Sequence, residues 1–161
     1  MDRTIIDEYE RGAEKLRQAL YNLTREDLLQ VPSPEAGVGK WSIQQVVIHI
    51  MDSELVSADR MKRMIAEENP TLIGYDETKF ANHLRYEEQS AEDALTVVEL
   101  VRRNLARVLR LLPESAFARK GTHNERGVVT LGAYLKATVD HLEHHLKFIN
   151  QKRERMGKSM W

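Results

Sequence analysis

Apolar residues recur at intervals of three and four along four long segments of the chain, a spacing that predicts amphipathic α-helices. The four segments cover about residues 3–23, 43–68, 91–112 and 131–154. Ser42 and Gln45 predict a capping box at the start of the second segment, and Pro113 follows the end of the third. Amphipathic helices without strands bury their apolar faces against one another. The pattern therefore predicts an all-α fold, a four-helix bundle with long inter-helix loops.

The segments between the predicted helices are polar and show no alternation typical of strands. Residues 31–40 contain two Pro and two Gly and predict a loop. Before this loop, Thr24 is predicted to cap a short turn that reaches Leu29. Residues 69–89 predict a long connection with one irregular turn near residues 76–82, and long ordered loops often carry function. These connections are longer than an up-and-down bundle requires, so the sequence leaves the order of the helices open.

The composition of the chain excludes several classes of function. Its 161 residues are the size of one domain, so we expect a single domain over residues 1–161. The formal charge of −1 gives no field that attracts nucleic acid. The longest uncharged run, residues 41–51, is too short to cross a bilayer, and the acidic N-terminal region lacks the apolar run of a signal peptide. We therefore expect a cytoplasmic protein with no membrane or nucleic-acid partner.

The six His residues are the candidates for chemistry, because the chain has no Cys that could act as a nucleophile or thiolate ligand. His141 and His145 lie about 40° apart on the inner face of the fourth predicted helix, whereas His144 points away. His49 is the only His in another predicted helix. Two inward imidazoles one turn apart favour a metal site. The spacing alone also allows buried His residues that bind backbone carbonyls.

Four motifs resemble the DinB/YfiT-like family of metalloenzymes. Residues 39–54, GKWSIQQVVIHIMDSE, resemble the family segment G-x-W-[ST]-x-x-[QE]-V-[VL]-x-H-[LIV]-x-D-S. Pro70 with the GYDE of residues 74–77, the NERGVVTL of residues 124–131 and the HLEHH of residues 141–145 resemble the YfiT branch. The chain departs from the family at two positions: Asn124 stands where Pro is usual, and Phe80 where Trp is common. Neither position is a candidate ligand, but both bear on the substrate pocket.

The resemblance implies a metal triad of His49, His141 and His145, the same three residues that the helical geometry selects. Three His ligands without a fourth protein ligand leave a position for substrate, as in catalytic rather than structural zinc sites. We expect one divalent ion per chain, Zn²⁺ or Ni²⁺ first, although Fe and Mn also accept imidazole ligands.

The resemblance implies two reactions on a small-molecule substrate. Some members of the family are similar to S-transferases that join a low-molecular-weight bacterial thiol, bacillithiol, to a small electrophile, and this is the function we expect. The alternative is a hydrolase in which the metal generates hydroxide near neutral pH. A non-catalytic stress-related or scaffold protein is the third hypothesis. Because the chain has no Cys, a thiol must arrive as a cosubstrate.

Other residues near the predicted triad have several interpretations. Asp52, one turn from His49, is predicted to orient that imidazole, to act as a base, or simply to be a solvated helix charge. Asp76 is interpreted as a turn residue or as a residue that closes over the site. Tyr134 and Thr138 share the face of His141, where they pack in the core or line a pocket.

The remaining expectations concern assembly and the other His residues. We expect a homodimer, from the habit of the family and from a Met-rich, partly apolar surface on the second helix formed by Met51, Met61 and Met64. His144 is expected to be exposed or at a subunit contact. His83 and His123 lie in predicted loops and receive no role.

Overall fold

The computed structural model describes residues 2–160, and within this range the predicted four-helix bundle is confirmed. In chain order the helices are α1 (Thr4–Ala19), α2 (Arg25–Leu29), α3 (Ile43–Ala66), α4 (Glu77–His83), α5 (Ala91–Leu111) and α6 (Leu131–Arg155). The bundle consists of the four long ones, α1, α3, α5 and α6. No helix among the described residues is long and apolar enough to cross a membrane.

Hydroxyl side chains determine where several helices begin. Ser42 forms the expected capping box, and Thr24, predicted only as a cap, forms one as well. In both, the hydroxyl accepts a hydrogen bond from the backbone N–H three residues later, and the side chain of that later residue accepts one from the backbone N–H of the cap residue. Ser90 and Thr130 cap α5 and α6 through the same backbone contact. The helix α1 ends at Ala19, four residues earlier than predicted, and the chain turns at Asn22 with φ of 61°.

The order of the helices in the bundle is not that of an up-and-down bundle. Both α1 and α3 pack against α5 and α6, so α1 lies diagonally opposite α3, and α5 lies diagonally opposite α6. The long connections between α1 and α3 and between α5 and α6 allow the chain to cross the bundle diagonally. This arrangement makes α3 and α6 neighbours, which brings His49 to the same side as His141 and His145.

The connections also form a small sheet that the sequence did not predict. The strands are β1 (Thr71–Leu72), β2 (Lys120–His123) and β3 (Gly127–Thr130). β2 and β3 form an antiparallel hairpin, and β1 pairs with β2 in parallel, with Leu72 opposite His123. Because these strands are two to four residues long, they are too short to show an alternating pattern. The predicted loops at residues 69–89 and before residue 127 are therefore partly ordered as β1, α4 and the hairpin.

The methionines on α3 do not form the apolar surface that motivated the predicted homodimer. Met61 and Met64 are fully buried in the core, and Met51 packs against the core from a partly buried position. The homodimer stays a prediction that now depends on the family resemblance alone.

A buried ion pair ties three of the long helices together. Arg102 on α5 donates from Nε and Nη2 to the same carboxylate oxygen of Glu54 on α3, at 2.8 and 2.7 Å. Its Nη1 donates to the backbone carbonyl of Tyr9 on α1 at 3.0 Å, and the hydroxyl of Tyr9 donates to Glu54. Both side chains of the pair are 2% exposed. A buried pair is tolerated only when hydrogen bonds compensate its desolvation, as they do here.

The ion pair explains the glycine in the middle of α1. A Cβ atom at Gly12 would lie 2.1 Å from Nη1 of Arg102 and 2.5 Å from the Leu142 side chain of α6. Gly normally weakens a helix by about 1 kcal/mol relative to Ala. Its presence here allows α1, α5 and α6 to approach around the guanidinium.

We predict that Gly12→Ala lowers the free energy of unfolding by about 1–3 kcal/mol, because overpacking at Arg102 outweighs the gain in helix propensity. Urea denaturation measures the change. The control is Glu8→Ala, at an exposed position of the same helix, which should stay within about 0.5 kcal/mol of the parent chain. A stabilised Gly12→Ala variant would show that the space around Arg102 is not limiting.

Candidate metal centre

The three predicted ligands converge on one point between α3 and α6. The Nε2 atom of His49 lies 3.2 Å from Nε2 of His141 and 3.1 Å from Nε2 of His145. The two Nε2 atoms on α6 are 3.0 Å apart. Among the described residues, these three form a group whose ligand atoms lie close enough together to hold one metal ion.

The spacing of the three nitrogens fits a tetrahedral metal ion. Metal–nitrogen bonds of about 2.0–2.1 Å at tetrahedral angles place the nitrogens of a zinc site about 3.3–3.4 Å apart. The observed distances of 3.0–3.2 Å need only a small opening of the triangle. Three converging imidazole nitrogens cannot all hydrogen-bond to one another, because each neutral ring has only one N–H. The arrangement therefore favours a cation as the shared partner.

Burial keeps the three imidazoles neutral. Burial, and after it the charges of neighbouring imidazoles and basic residues, lowers the pKa of His49 and of His141 to about 4 and that of His145 to about 3. At neutral pH each ring keeps a free lone pair. Because metal ligation needs this neutral form, no proton has to be displaced from the site near pH 7.

An aromatic ring lies next to the triad. The Trp41 ring lies 5.1 Å from the His49 ring, between centroids, and also contacts Tyr86. The apolar neighbour Trp41 lowers the local dielectric around the imidazole of His49.

His144 is exposed, in agreement with one of its two predicted interpretations, and its ring lies 5.4 Å from that of His145.

Asp52 does not orient His49. Its carboxylate accepts a hydrogen bond from the Tyr86 hydroxyl at 2.5 Å, and burial together with this contact raises the pKa of Tyr86. Nδ1 of His49 is buried, and no atom of residues 2–160 forms a hydrogen bond with it. The orienting role predicted for Asp52 was therefore wrong. Asp52 lies one helical turn after His49, but its carboxylate contacts Tyr86, in the segment between α4 and α5.

A polar cavity of about 120 Å³ adjoins the triad at His141. The side chains that line it from α3 are Ser53, Ser57 and Arg60, which follow His49 at helical spacing on the same face. Those that line it from α6 include Tyr134, Thr138 and His141. Tyr134 and Thr138 thus line a pocket, which is one of the two interpretations that the sequence left open.

The connections complete the walls of this cavity. Gly74, Tyr75 and Glu77 line it from the segment after β1, and His123, Glu125 and Arg126 line it from the hairpin β2–β3. The Tyr75 and Ser53 hydroxyls are 2.7 Å apart, and burial, the largest effect, raises the pKa of Tyr75 to about 12. Both wall segments belong to regions that the sequence predicted as loops.

The two departures from the family pattern do not line the cavity, but each contacts a residue of its walls. The Asn124 side chain accepts from the Gly74 N–H at 2.8 Å, and its own N–H donates to the Leu72 carbonyl at 3.1 Å. Pro at position 124 would have neither group. Phe80 packs its ring against Tyr75, with centroids 4.6 Å apart. Asn124 therefore ties the connection after β1 to the hairpin, and Phe80 packs the same connection against α4.

Sequence reasoning missed Arg60 and His123 as residues of the site. Arg60 lies eleven residues after His49, three helical turns along the same face, and this periodicity is the signal that would have found it. His123 is 5% exposed and lies in the cavity wall because β2 pairs with β1, a pairing that no sequence pattern indicated. Asp76 is exposed, and its carboxylate accepts a hydrogen bond from the Lys79 N–H at the start of α4, which agrees with its interpretation as a turn residue. His83 is also exposed.

Comparison with known proteins identifies the family. A family model described as the DinB superfamily matches residues 8–149. The chain belongs to this superfamily. A protein of Oceanobacillus iheyensis named "Putative metal-dependent hydrolase" is 32% identical over 111 residues, which are 69% of this chain and 64% of that protein. "Putative metal-dependent hydrolase YfiT" of Bacillus subtilis is 30% identical over 146 residues, 90% of this chain and 80% of that protein.

Solved structures agree with the fold. The structure of YfiT from Bacillus subtilis matches with a TM-score of 0.88 and 28% identity, covering 97% of this chain and 87% of that one, and is described as having an unusual four-helix bundle topology. A DinB-like protein from Bacillus subtilis matches with a TM-score of 0.63 and 16% identity, which supports the fold alone. The resemblance noted in the sequence is thus confirmed. The names of the two sequence relatives and the description of the YfiT structure mention a metal-dependent hydrolase and no thiol.

The lowered pKa values predict an acid-sensitive metal-free protein. Between pH 6.5 and about 4 the unfolded chain binds protons at these His residues that the folded chain does not bind, so the free energy of unfolding falls as the pH falls through this window. His141→Asn should reduce the slope by about 1.4 kcal/mol per pH unit, as expected for one proton. Urea denaturation between pH 7 and 4.5 measures the slope of the parent chain and of the variant, and equal slopes would contradict the prediction.

Proposed function

We propose that this protein is a metal-dependent enzyme whose ion is held by Nε2 of His49, His141 and His145. The convergence of the three Nε2 atoms within 3.2 Å of one another carries the proposal. The relatives named as metal-dependent hydrolases support it independently. The ion is a single divalent cation, Zn²⁺ or Ni²⁺ first, since imidazole ligands suit both.

Three neutral ligands leave the full charge of the cation for the substrate. Such a cation lowers the pKa of a thiol or a water molecule that reaches it and so supplies a nucleophile. The residues of the chain provide the surroundings. Trp41 places an apolar ring beside His49, and the cavity beside His141 offers hydroxyl groups of Ser53, Ser57 and Tyr134 to the rest of the substrate.

The reaction we propose is transfer of a low-molecular-weight thiol to a small electrophile. The thiol loses its proton to solvent, its sulfur forms a bond to the electrophilic carbon, and the leaving group departs with the bonding electrons. A thiol with a pKa near 8.5 needs little assistance to ionise beside a cation, whereas water needs much more. Asp52, the acidic residue nearest to His49 in the sequence of α3, accepts a hydrogen bond from Tyr86, which supports the reaction that needs less help from a base.

Hydrolysis is the second candidate, and the names of the relatives favour it. In this reaction a water molecule replaces the thiol as nucleophile. His123, Glu77 and Glu125 line the cavity and are the groups within it that can accept a proton. The Tyr86 hydroxyl occupies Oδ2 of Asp52, so Oδ1 is the atom through which Asp52 would act as a base.

We predict one divalent ion per chain in protein purified without a His-tag, and its loss in each of His49→Ala, His141→Ala and His145→Ala. Elemental analysis measures the metal content and identifies the ion. His144→Ala is the matched control, because its exposed imidazole lies on the same helix and outside the convergence point, so it should retain the ion. Equal loss in His144→Ala, or full retention in His49→Ala, would contradict the triad.

The reaction class is tested with the metal-loaded protein. We expect consumption of a chromogenic electrophile together with a small thiol, at a rate that falls to background in His141→Ala and stays unchanged in His144→Ala. Ester and amide substrates are assayed in parallel. Turnover of these alone selects hydrolysis. Absence of both activities across a broad panel, with the metal bound, would favour the non-catalytic scaffold that the sequence also allowed.

A further inference from the structure

Arg60 is a buried cation without a carboxylate partner. It is 9% exposed, and its hydrogen-bond partners among residues 2–160 include no carboxylate. Nη1 donates to the Tyr134 hydroxyl at 2.8 Å and Nη2 donates to the Ile73 carbonyl, both neutral acceptors. Nε is buried, and no atom of the described residues forms a hydrogen bond with it. A buried charge in this condition is costly, and a bound anion would offset that cost.

The two other arginines buried in the bundle show what is unusual about Arg60. Arg102 is paired with Glu54 through two donors. Arg153 donates to the carbonyls of Ala19 and Tyr21 at the end of α1, where the helix dipole is negative. Arg60 has neither form of compensation. It is also the buried arginine that lines the cavity beside His141.

The cavity around Arg60 presents further donors. Nδ1 of His123 accepts from the Glu125 N–H at 3.2 Å, so a neutral His123 carries its proton on Nε2. Burial, and after it the positive charges of Arg60 and Arg126, lower the pKa of His123. The walls of the cavity therefore combine positive potential with N–H and O–H donors, which suits an oxyanion.

The rim limits the charge of such an anion. Glu77 and Glu125 are exposed at the cavity, and a Cβ atom at Gly74 would lie 2.8 Å from the Glu125 carboxylate. Two acidic residues against Arg60 and Arg126 disfavour a doubly charged group such as a phosphate monoester. A singly charged carboxylate matches the balance of charges.

We propose that this cavity binds a carboxylate group of the small-molecule ligand, with Arg60 as its counter-ion. The inference rests on the proposed function, because it places the reacting atom of the same ligand at the His triad. Tyr134, which contacts Arg60, precedes His141 by seven residues, about 10 Å along α6. The ligand therefore carries its carboxylate several bonds away from the atom that reacts, at a separation of this order.

The test uses thiols of graded length on the metal-loaded full chain. The probes are 3-sulfanylpropionate, 6-sulfanylhexanoate and 8-sulfanyloctanoate, each compared with its primary amide by calorimetry. We expect the two longer acids to bind at least about tenfold more tightly than their amides, as a charge-assisted contact allows, and the shortest acid to show no such preference. Equal binding of acid and amide at every length would overturn the proposal.

Variants on α3 assign the effect to Arg60. Arg60→Gln should reduce the preference for the acid to about onefold, whereas Arg60→Lys, which keeps the charge, should retain part of it. The matched control is Arg63→Gln, an exposed arginine of the same helix that pairs with Asp59 and Glu67 and should keep the parent preference. A preference that survives in Arg60→Gln would overturn the assignment. If Arg60→Gln does not fold, the lysine variant and the next experiment decide.

A second experiment separates this inference from the proposed function. Hexanoate, hexanamide and hexyl phosphate, which contain no thiol, are added to the full chain, and the Nε–H signal of Arg60 is followed by ¹⁵N NMR. Hexanoate should shift this signal with saturation, and hexanamide should not. A shift with hexanoate when no thiol binds the metal would contradict the reaction but support the carboxylate site. No shift, or stronger binding of hexyl phosphate, would overturn the site as proposed.

Discussion

The interaction on which the rest of this structure depends is the buried ion pair between Arg102 and Glu54. It joins α5 to α3, and through the Tyr9 backbone and hydroxyl it joins both to α1. Its geometry requires Gly12, whose missing side chain also admits Leu142 of α6. All four long helices therefore meet at one point. A buried ion pair contributes less to net stability than to a unique arrangement, because other packings would leave its charges unpaired.

This fixed arrangement positions the candidate metal centre. Leu142, which packs at Gly12, directly follows His141 in the chain, and Glu54 lies on α3 between His49 and Arg60. The helix that supplies one imidazole and the helix that supplies two are thus held in register by contacts outside the site. Precise placement of ligands by a rigid scaffold is what metal binding needs. Sheet pairing plays the same part for the cavity, since β2 brings His123 to the wall.

The cavity beside the triad combines charges of both signs. The buried Arg60 and the adjacent Arg126 favour negative charge on a ligand, and the acids Glu77 and Glu125 stand at the exposed rim. The three neutral imidazoles carry no charge, so an attraction for an ionised thiol at the triad would come from a bound cation. The net charge of the chain, −1, does not reveal these local charges, because the field at a site depends on which few charges lie close together there.

The sequence by itself determined the helices, their caps at Ser42 and Thr24, and the inward face that holds His141 and His145, because these are local properties with a helical period. It also pointed to His49, through its place on an apolar face and through the family resemblance. Only the tertiary structure decided that α3 and α6 are neighbours, that Asp52 accepts a hydrogen bond from Tyr86, and that a hairpin completes the cavity. These features depend on contacts between residues far apart in the chain, which no short-range period encodes.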